Sequence, residues 1–147
     1  MSELPITYRG TVYPWHCDHM NHMNVMWYVG KFDEATWNLL ALIGLTPSSL
    51  RDQSQGMVAV QQNTSYKREL SAGDIVTVRS GILEIRERVV RFFHEMSNEE
   101  TGEVSAITVL TGVHIDLKTR KASPFPPEIL DRGRKMVVAY PHERLGQ

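Results

Sequence analysis

The pattern of apolar and polar positions divides the chain into one helical segment and a series of strands. Residues 7–15, Thr-Tyr-Arg-Gly-Thr-Val-Tyr-Pro-Trp, are rich in β-branched and aromatic side chains and read as a first strand. Pro14 near its end fits an edge position or a strand terminus. After a polar, His-rich loop at 16–24 comes the one long helical period. Val25, Tyr28, Val29, Phe32, Ala35, Thr36, Leu39, Leu40 and Ile43 recur at three- and four-residue steps. Met26, Gly30, Trp37 and Ala41 widen that stripe, which leaves Trp27, Lys31, Glu34 and Asn38 as an outward strip. A helix this apolar is expected to be wrapped by other elements. Asn24 suits its N-cap, Gly44 its end, and Pro47 lies just beyond.

A polar stretch at 48–56 leads into β pattern at 57–70, 75–86, 89–97 and 104–117. In the last of these, Ile107, Val109, Thr111, Val113, Ile115 and Leu117 share a face, and Gly112 marks a bulge or a sharp curl. The turns at 71–74 and 99–102 are short, which predicts an antiparallel meander. Pro126-Pro127 opens a short helix to about Lys135. The order is strand, long helix, then four antiparallel strands. That is α+β, one curved sheet around one helix in a single domain over 1–147. A doubly wound parallel sheet is excluded, because helices do not alternate with the later strands.

Composition narrows the function classes. Of 147 residues, 41% are apolar and 22% charged, as in an ordinary globular protein, and the net charge of −1 excludes a general nucleic-acid binder. No apolar run is long enough to span a bilayer, so no membrane partner is expected. The N-terminus lacks the basic-then-apolar order of a secretory segment, and Cys17 has no internal partner for a disulfide. Together these predict a cytoplasmic protein.

The chemistry concentrates in Trp15-His16-Cys17-Asp18-His19-Met20-Asn21-His22-Met23-Asn24-Val25. One carboxylate, three histidines and two asparagines stand immediately before a helix N-terminus, where backbone N–H groups are unpaired and the dipole is positive. An oxyanion forming on a thioester carbonyl needs such donors. A carboxylate beside them can attack the carbonyl or activate water. Alternatives stand beside this one. Asp18 can simply cap the helix or pair locally, and His16, Cys17, Asp18, His19 and His22 include zinc-ligand types, although their spacing is not that of a regular zinc site.

Asp18-x-x-Asn21-His22-x-Asn24, followed by Tyr28 and Phe32-Asp33-Glu34-Ala35, resembles the motif of the 4-hydroxybenzoyl-coenzyme A thioesterase family, Asp-x-x-Gly-His-Val-Asn-Asn leading into a helix with Tyr…Phe-Glu-Glu-Ala. Ser65-Tyr66-Lys67-Arg68-Glu69 with Gly73-Asp74, and Val113-His114-Ile115-Asp116 with Arg120-Lys121, are similar to its later strands in the same order. The resemblance implies a hotdog fold and an acyl-coenzyme A thioesterase. It implies a homodimer or dimer of dimers with sites shared between protomers, and no cofactor beyond the coenzyme A of the substrate. It assigns the catalytic carboxylate to Asp18, the oxyanion donor to the Val25 N–H, and loop-shaping or contact roles to His22 and Asn24. Asn21 stands where the family usually has Gly; Asn tolerates the left-handed backbone such a turn needs.

Substrate contacts are expected from Trp27, Tyr28, Asp33, Met57, Val58 and Ala59, with Lys67 and Arg68 meeting coenzyme A phosphates. Glu34 reads as a solvated charge, whereas Asp33 lies close enough to the apolar stripe to reach a partner subunit or a polar acyl end. Aromatics beside a carboxylate suit a quaternary ammonium group. The run Met-Asn-Val-Met-Trp-Tyr-Val-Gly-Lys-Phe-Asp-Glu-Ala is similar to thioesterases acting on betainyl-coenzyme A. A hydratase or dehydratase using Asp18 with His22, and a non-catalytic acyl-coenzyme A binder, are the rival readings.

Overall fold

The computed structural model describes residues 4–140. A short strand β1 (Ile6–Thr11) is followed by a 3-10 turn (Pro14–His16) and the long helix α1 (Val25–Leu42). Next come a short helix α2 (Pro47–Gln53), strands β2 (Gln55–Tyr66), β3 (Ile75–Ile85), β4 (Val89–Asn98) and β5 (Val104–Asp116), and helix α3 (Pro127–Lys135). The five strands form one antiparallel sheet in the order β1-β3-β4-β5-β2. This is the expected α+β class. Among the described residues no helix is long and apolar enough to cross a membrane.

Several expectations need correction. The first strand ends at Thr11, because Pro14 takes the first position of the 3-10 turn, where its fixed φ and missing N–H are tolerated. Residues 47–53 are helical rather than a polar loop: Thr46 and Ser49 cap the segment reciprocally, with Pro47 at its start. The meander is real only for β3, β4 and β5. β2 crosses to the far side and pairs with β5, so β1 and β2 are the two edges. The bulge lies opposite Gly112 rather than at it: Ala59 pairs with Gly112 and Gln61 with Thr111, which leaves Val60 outside the register.

The two faces of β5 meet different surroundings. Leu110 and Gly112 face the helix, whereas Ile107, Val109 and Thr111 line the outer surface beneath residues 138–140. Thr108 and His114, fully buried, belong to the inner set because each has hydrogen-bond partners. Thr108 meets Thr64 at 2.8 Å, and His114 meets the Ser123 carbonyl at 2.9 Å.

α1 lies across the sheet with Tyr28, Phe32, Ala35, Leu39 and Leu40 buried. Each large apolar side chain buried there contributes roughly 1.5–3 kcal/mol. The helix is not wrapped on all sides. Met26, Val29 and Trp37, placed in its apolar stripe, are 61%, 45% and 37% exposed. Lys31, placed on the outward strip, is buried, because its amine reaches the Tyr8 hydroxyl at 2.8 Å.

Two apolar clusters form under the two halves of α1, one around Phe32 and Met96 and the other around Leu40 and Phe92. A polar chain runs between them. The Thr36 hydroxyl donates to the Phe32 carbonyl at 3.0 Å, so it accepts from His94 Nε2 at 2.8 Å. His94 Nδ1 is then the acceptor for Ser80 at 2.5 Å, and Ser80 in turn accepts from Thr7 at 2.7 Å, with the Thr7 hydroxyl shared with the Val78 carbonyl at 3.3 Å. Every member is satisfied with a neutral imidazole. Burial pushes the His94 pKa down to about 3.

Candidate active site

The loop between the 3-10 turn and α1 is tied at its neck. Cys17 and Met23 form an antiparallel bridge, the Met23 N–H donates to the Leu70 carbonyl at 2.7 Å, and the Asn24 N–H donates to the His16 carbonyl at 2.9 Å. Inside the neck the Asp18 N–H donates to the His22 carbonyl at 3.1 Å and the Asn21 N–H to the Asp18 carbonyl at 2.9 Å. Asn21 has φ 67°, a left-handed conformation that Asn tolerates better than most side chains.

This loop presents Asp18 at the start of α1. Its Oδ1 accepts the Met20 N–H at 2.9 Å, and its Oδ2 accepts from Asn24 Nδ2 at 2.8 Å. The other end of the Asn24 amide caps α1, with Oδ1 accepting the Met26 N–H at 2.9 Å. One side chain therefore starts the helix and fixes the carboxylate. The Asn24 hydrogen bond, then the Met20 one, hold the Asp18 pKa below its usual value; partial desolvation opposes them, and His19 and His22 add to the lowering. Asp18 is thus ionised at neutral pH. The Val25 N–H, first of the helix, has no intrahelical acceptor. None of the hydrogen bonds that close the loop or cap the helix uses it, and Val25 is 56% exposed. An oriented carboxylate beside an open N–H donor can add to a carbonyl carbon, or deprotonate water, while the N–H receives the developing oxyanion.

The remaining expected residues divide into groups. The three loop histidines diverge: His16 is buried with its ring 4.6 Å from that of Trp27, His22 Nε2 lies 3.0 Å from Glu69, and His19 is exposed. Arg68 pairs with Glu103 at 3.2 Å just beyond β2, and Lys67 stands beside it. Tyr28 is a packing residue. It is buried in the apolar cluster around Phe32, its ring meets Tyr66 edge-on, and burial pushes its hydroxyl up to about 12.

Asp33, Met57, Val58 and Ala59 do meet. With Thr36, Trp37, Leu40, Phe92, Leu110 and Gly112 they line a cavity of about 90 Å³ between α1 and β2. Gly112 lies close under Met57 here: a Cβ on it would come within 3.3 Å of Met57 Cε. Sequence reasoning placed Thr36, Trp37 and Leu40 on the helix stripe without assigning them to a site. Their spacing from Asp33 (i+3, i+4 and i+7) puts them on one helix face and was the available clue. Trp27 is absent from this group and lines a different recess. Asp33 lies eight residues beyond Val25, about 12 Å along the axis at 1.5 Å per residue. Within one chain, therefore, the carboxylate and the cavity stand apart.

Comparison with known proteins gives the family and the fold. The family model described as the thioesterase-like superfamily matches residues 12–133. A betainyl-CoA thioesterase of Pseudomonas aeruginosa is 24% identical over 140 residues, covering 95% of this chain and 88% of that protein. The long-chain acyl-CoA thioesterase FadM of Escherichia coli is 28% identical over 127 residues, covering 84% and 92%. A Staphylococcus aureus protein solved in complex with CoA superposes with a TM-score of 0.86 at 21% identity, covering 97% of this chain and 94% of that one. The shared fold is the hotdog fold, a curved antiparallel sheet with one long helix on it.

Proposed function

The chain belongs to the thioesterase-like superfamily, and on that premise we propose that it hydrolyses the thioester of an acyl-coenzyme A with Asp18 as the catalytic carboxylate. The observation that carries this reading is the Asn24 bridge, which holds an ionised carboxylate next to an open helix-terminal N–H. The thioester carbonyl lies against the Val25 N–H. An Asp18 oxygen, or a water that Asp18 deprotonates, adds to the carbonyl carbon. The oxyanion collapses, the C–S bond breaks, and coenzyme A leaves as the thiol. Water supplies the oxygen of the product acid, directly or by hydrolysing an acyl-aspartate.

The cavity holding Asp33 and Trp37 takes the acyl group. Its size favours a small one, and a carboxylate beside an indole suits the trimethylammonium of a betainyl group. Lys67 and Arg68, beyond the end of β2, are the cations offered to coenzyme A phosphates. Because Asp18 and the cavity stand apart in one chain, we assign the complete site to a pair of chains. The unpaired edge of β2 and the exposed Val29, Trp37, Val58 and Val60 supply the contact.

Thiol release from acetyl-, benzoyl-, palmitoyl- and betainyl-coenzyme A tests the proposal. The wild type should cleave at least one small ester, and Asp18→Asn should lose at least roughly a hundredfold in kcat without loss of fold. Wild-type rates in Asp18→Asn would overturn the assignment of the carboxylate. A hydratase would instead depend chiefly on His22, whose present partner is the exposed Glu69.

A further inference from the structure

α1 lines a second recess on its other side. Trp27, Gly30, Lys31 and Glu34 recur at helical spacing and face the β1 edge, where Tyr8, Tyr13, Trp15 and His16 complete a cavity of about 530 Å³. It shares no residue with the cavity at Asp33, and β1 and β2 are opposite edges of the sheet. The structure thereby separates Trp15 and Trp27 from Asp33 and gives them a different carboxylate, Glu34.

The recess has a charged floor and an aromatic rim. Lys31 is only 4% exposed, and its amine donates to the Tyr8 hydroxyl at 2.8 Å. That contact depends on Gly10, since a Cβ there would lie 2.3 Å from the Tyr8 hydroxyl oxygen. No ion pair among the described residues engages Lys31 or Glu34. An ammonium has three N–H donors, and a buried cation without a counter-charge is unfavourable. At the rim, Tyr13 and Trp15 stack at 4.5 Å, and Trp15 is 66% exposed. Glu34 sits one helical turn from Lys31 and is exposed. The walls thus carry one cation at depth and one anion at the mouth. A dianion such as phosphate would meet Glu34, and a simple cation would meet Lys31. A molecule carrying both charges, carboxylate inward and cation outward, matches both. A quaternary ammonium needs no hydrogen-bond acceptors and is well served by aromatic faces beside a carboxylate.

We propose that this recess binds a small zwitterion with a carboxylate and a quaternary ammonium group, the carboxylate on Lys31 and the ammonium between the Tyr13–Trp15 rim and Glu34. It does not depend on Asp18 being catalytic. Titration of the full chain with glycine betaine, followed by calorimetry and tryptophan fluorescence, provides the test. Two partial mimics, choline and 3,3-dimethylbutanoate, lack one charge each and should bind at least about tenfold more weakly. Lys31→Met and Glu34→Gln, each checked for a native circular-dichroism spectrum, should weaken betaine binding by roughly tenfold. Asp131→Asn, on α3 and outside the recess, should leave it unchanged. Saturable betaine binding that survives both Lys31→Met and Glu34→Gln would overturn the proposal. So would equal binding of either mimic, or no saturable binding at all.

Discussion

Asn24 joins two functions that substitution can separate. Its Oδ1 caps α1 through the Met26 N–H, and its Nδ2 holds Asp18. Alanine removes both contacts. Loss of an N-cap costs about 1 kcal/mol, which in a domain of this size lowers Tm by about 2–4 °C. Serine also caps helices well, but its hydroxyl is too short to serve both partners, so Asn24→Ser should melt close to the wild type. Catalysis should not follow stability. Both variants lose the hydrogen bond that does most to lower the Asp18 pKa, so that pKa rises and the acid limb of kcat/KM moves to higher pH. The carboxylate also loses its orientation, and kcat at neutral pH should fall by roughly tenfold to a hundredfold in both. Scanning fluorimetry and thiol release over a pH series give the two readouts. Asn24→Ser with wild-type kcat and an unmoved acid limb would refute the reasoning, as would an alanine variant whose activity falls only in step with its melting.

Two further outcomes follow from features outside the loop. Burial keeps His94 neutral down to about pH 3, whereas in the unfolded chain it protonates near 6.5, so stability falls as pH drops through that window. By pH 5 the loss is about 2 kcal/mol, read as a falling Tm. An His94→Gln variant should show a shallower decline, and an unchanged slope would contradict the buried neutral assignment. At the open edge of β2, Val60 is 60% exposed and lies outside the register with β5. Val60→Lys should shift light-scattering mass toward the single chain while leaving the circular-dichroism spectrum intact; a mass that does not change would remove β2 from the assembly contact.

Much of the architecture was legible because local signals agreed. Asn24 and Gly44 bracket α1 where the apolar period begins and ends, and the turns near Gly73 and Gly102, both with positive φ, delimit β3 and β4. Strand order was not legible. A turn reports that the chain reverses, not which neighbour it joins, and β2 could have continued into β3 as readily as crossed to β5. Burial of polar residues was equally hidden. Lys31 and His94 are inside because of partners far away in sequence, Tyr8 and Ser80, which no periodicity displays. In the loop, residue types identified Asp18 as the carboxylate, but only coordinates reveal that Asn24 uses both ends of its amide. The same holds for the aromatics: Trp27 and Trp37, ten residues apart on one helix, line separate cavities.

The crossing of β2 has a consequence for how the chain is made. Gln55 pairs with Asp116 and Tyr66 with Ala106, so every rung of that ladder joins residues forty or more positions apart. The β3–β4 and β4–β5 ladders close across short turns. Sequence-local ladders form readily, whereas distant ones carry a larger loop-closure cost and form slowly. During synthesis α1 and β2 emerge long before β5 exists, and the Met57–Val60 segment waits as an unpaired apolar strand. The β2 wall of the cavity at Asp33 is therefore the part of the molecule most dependent on a completed chain, and most exposed to mispairing until it is complete.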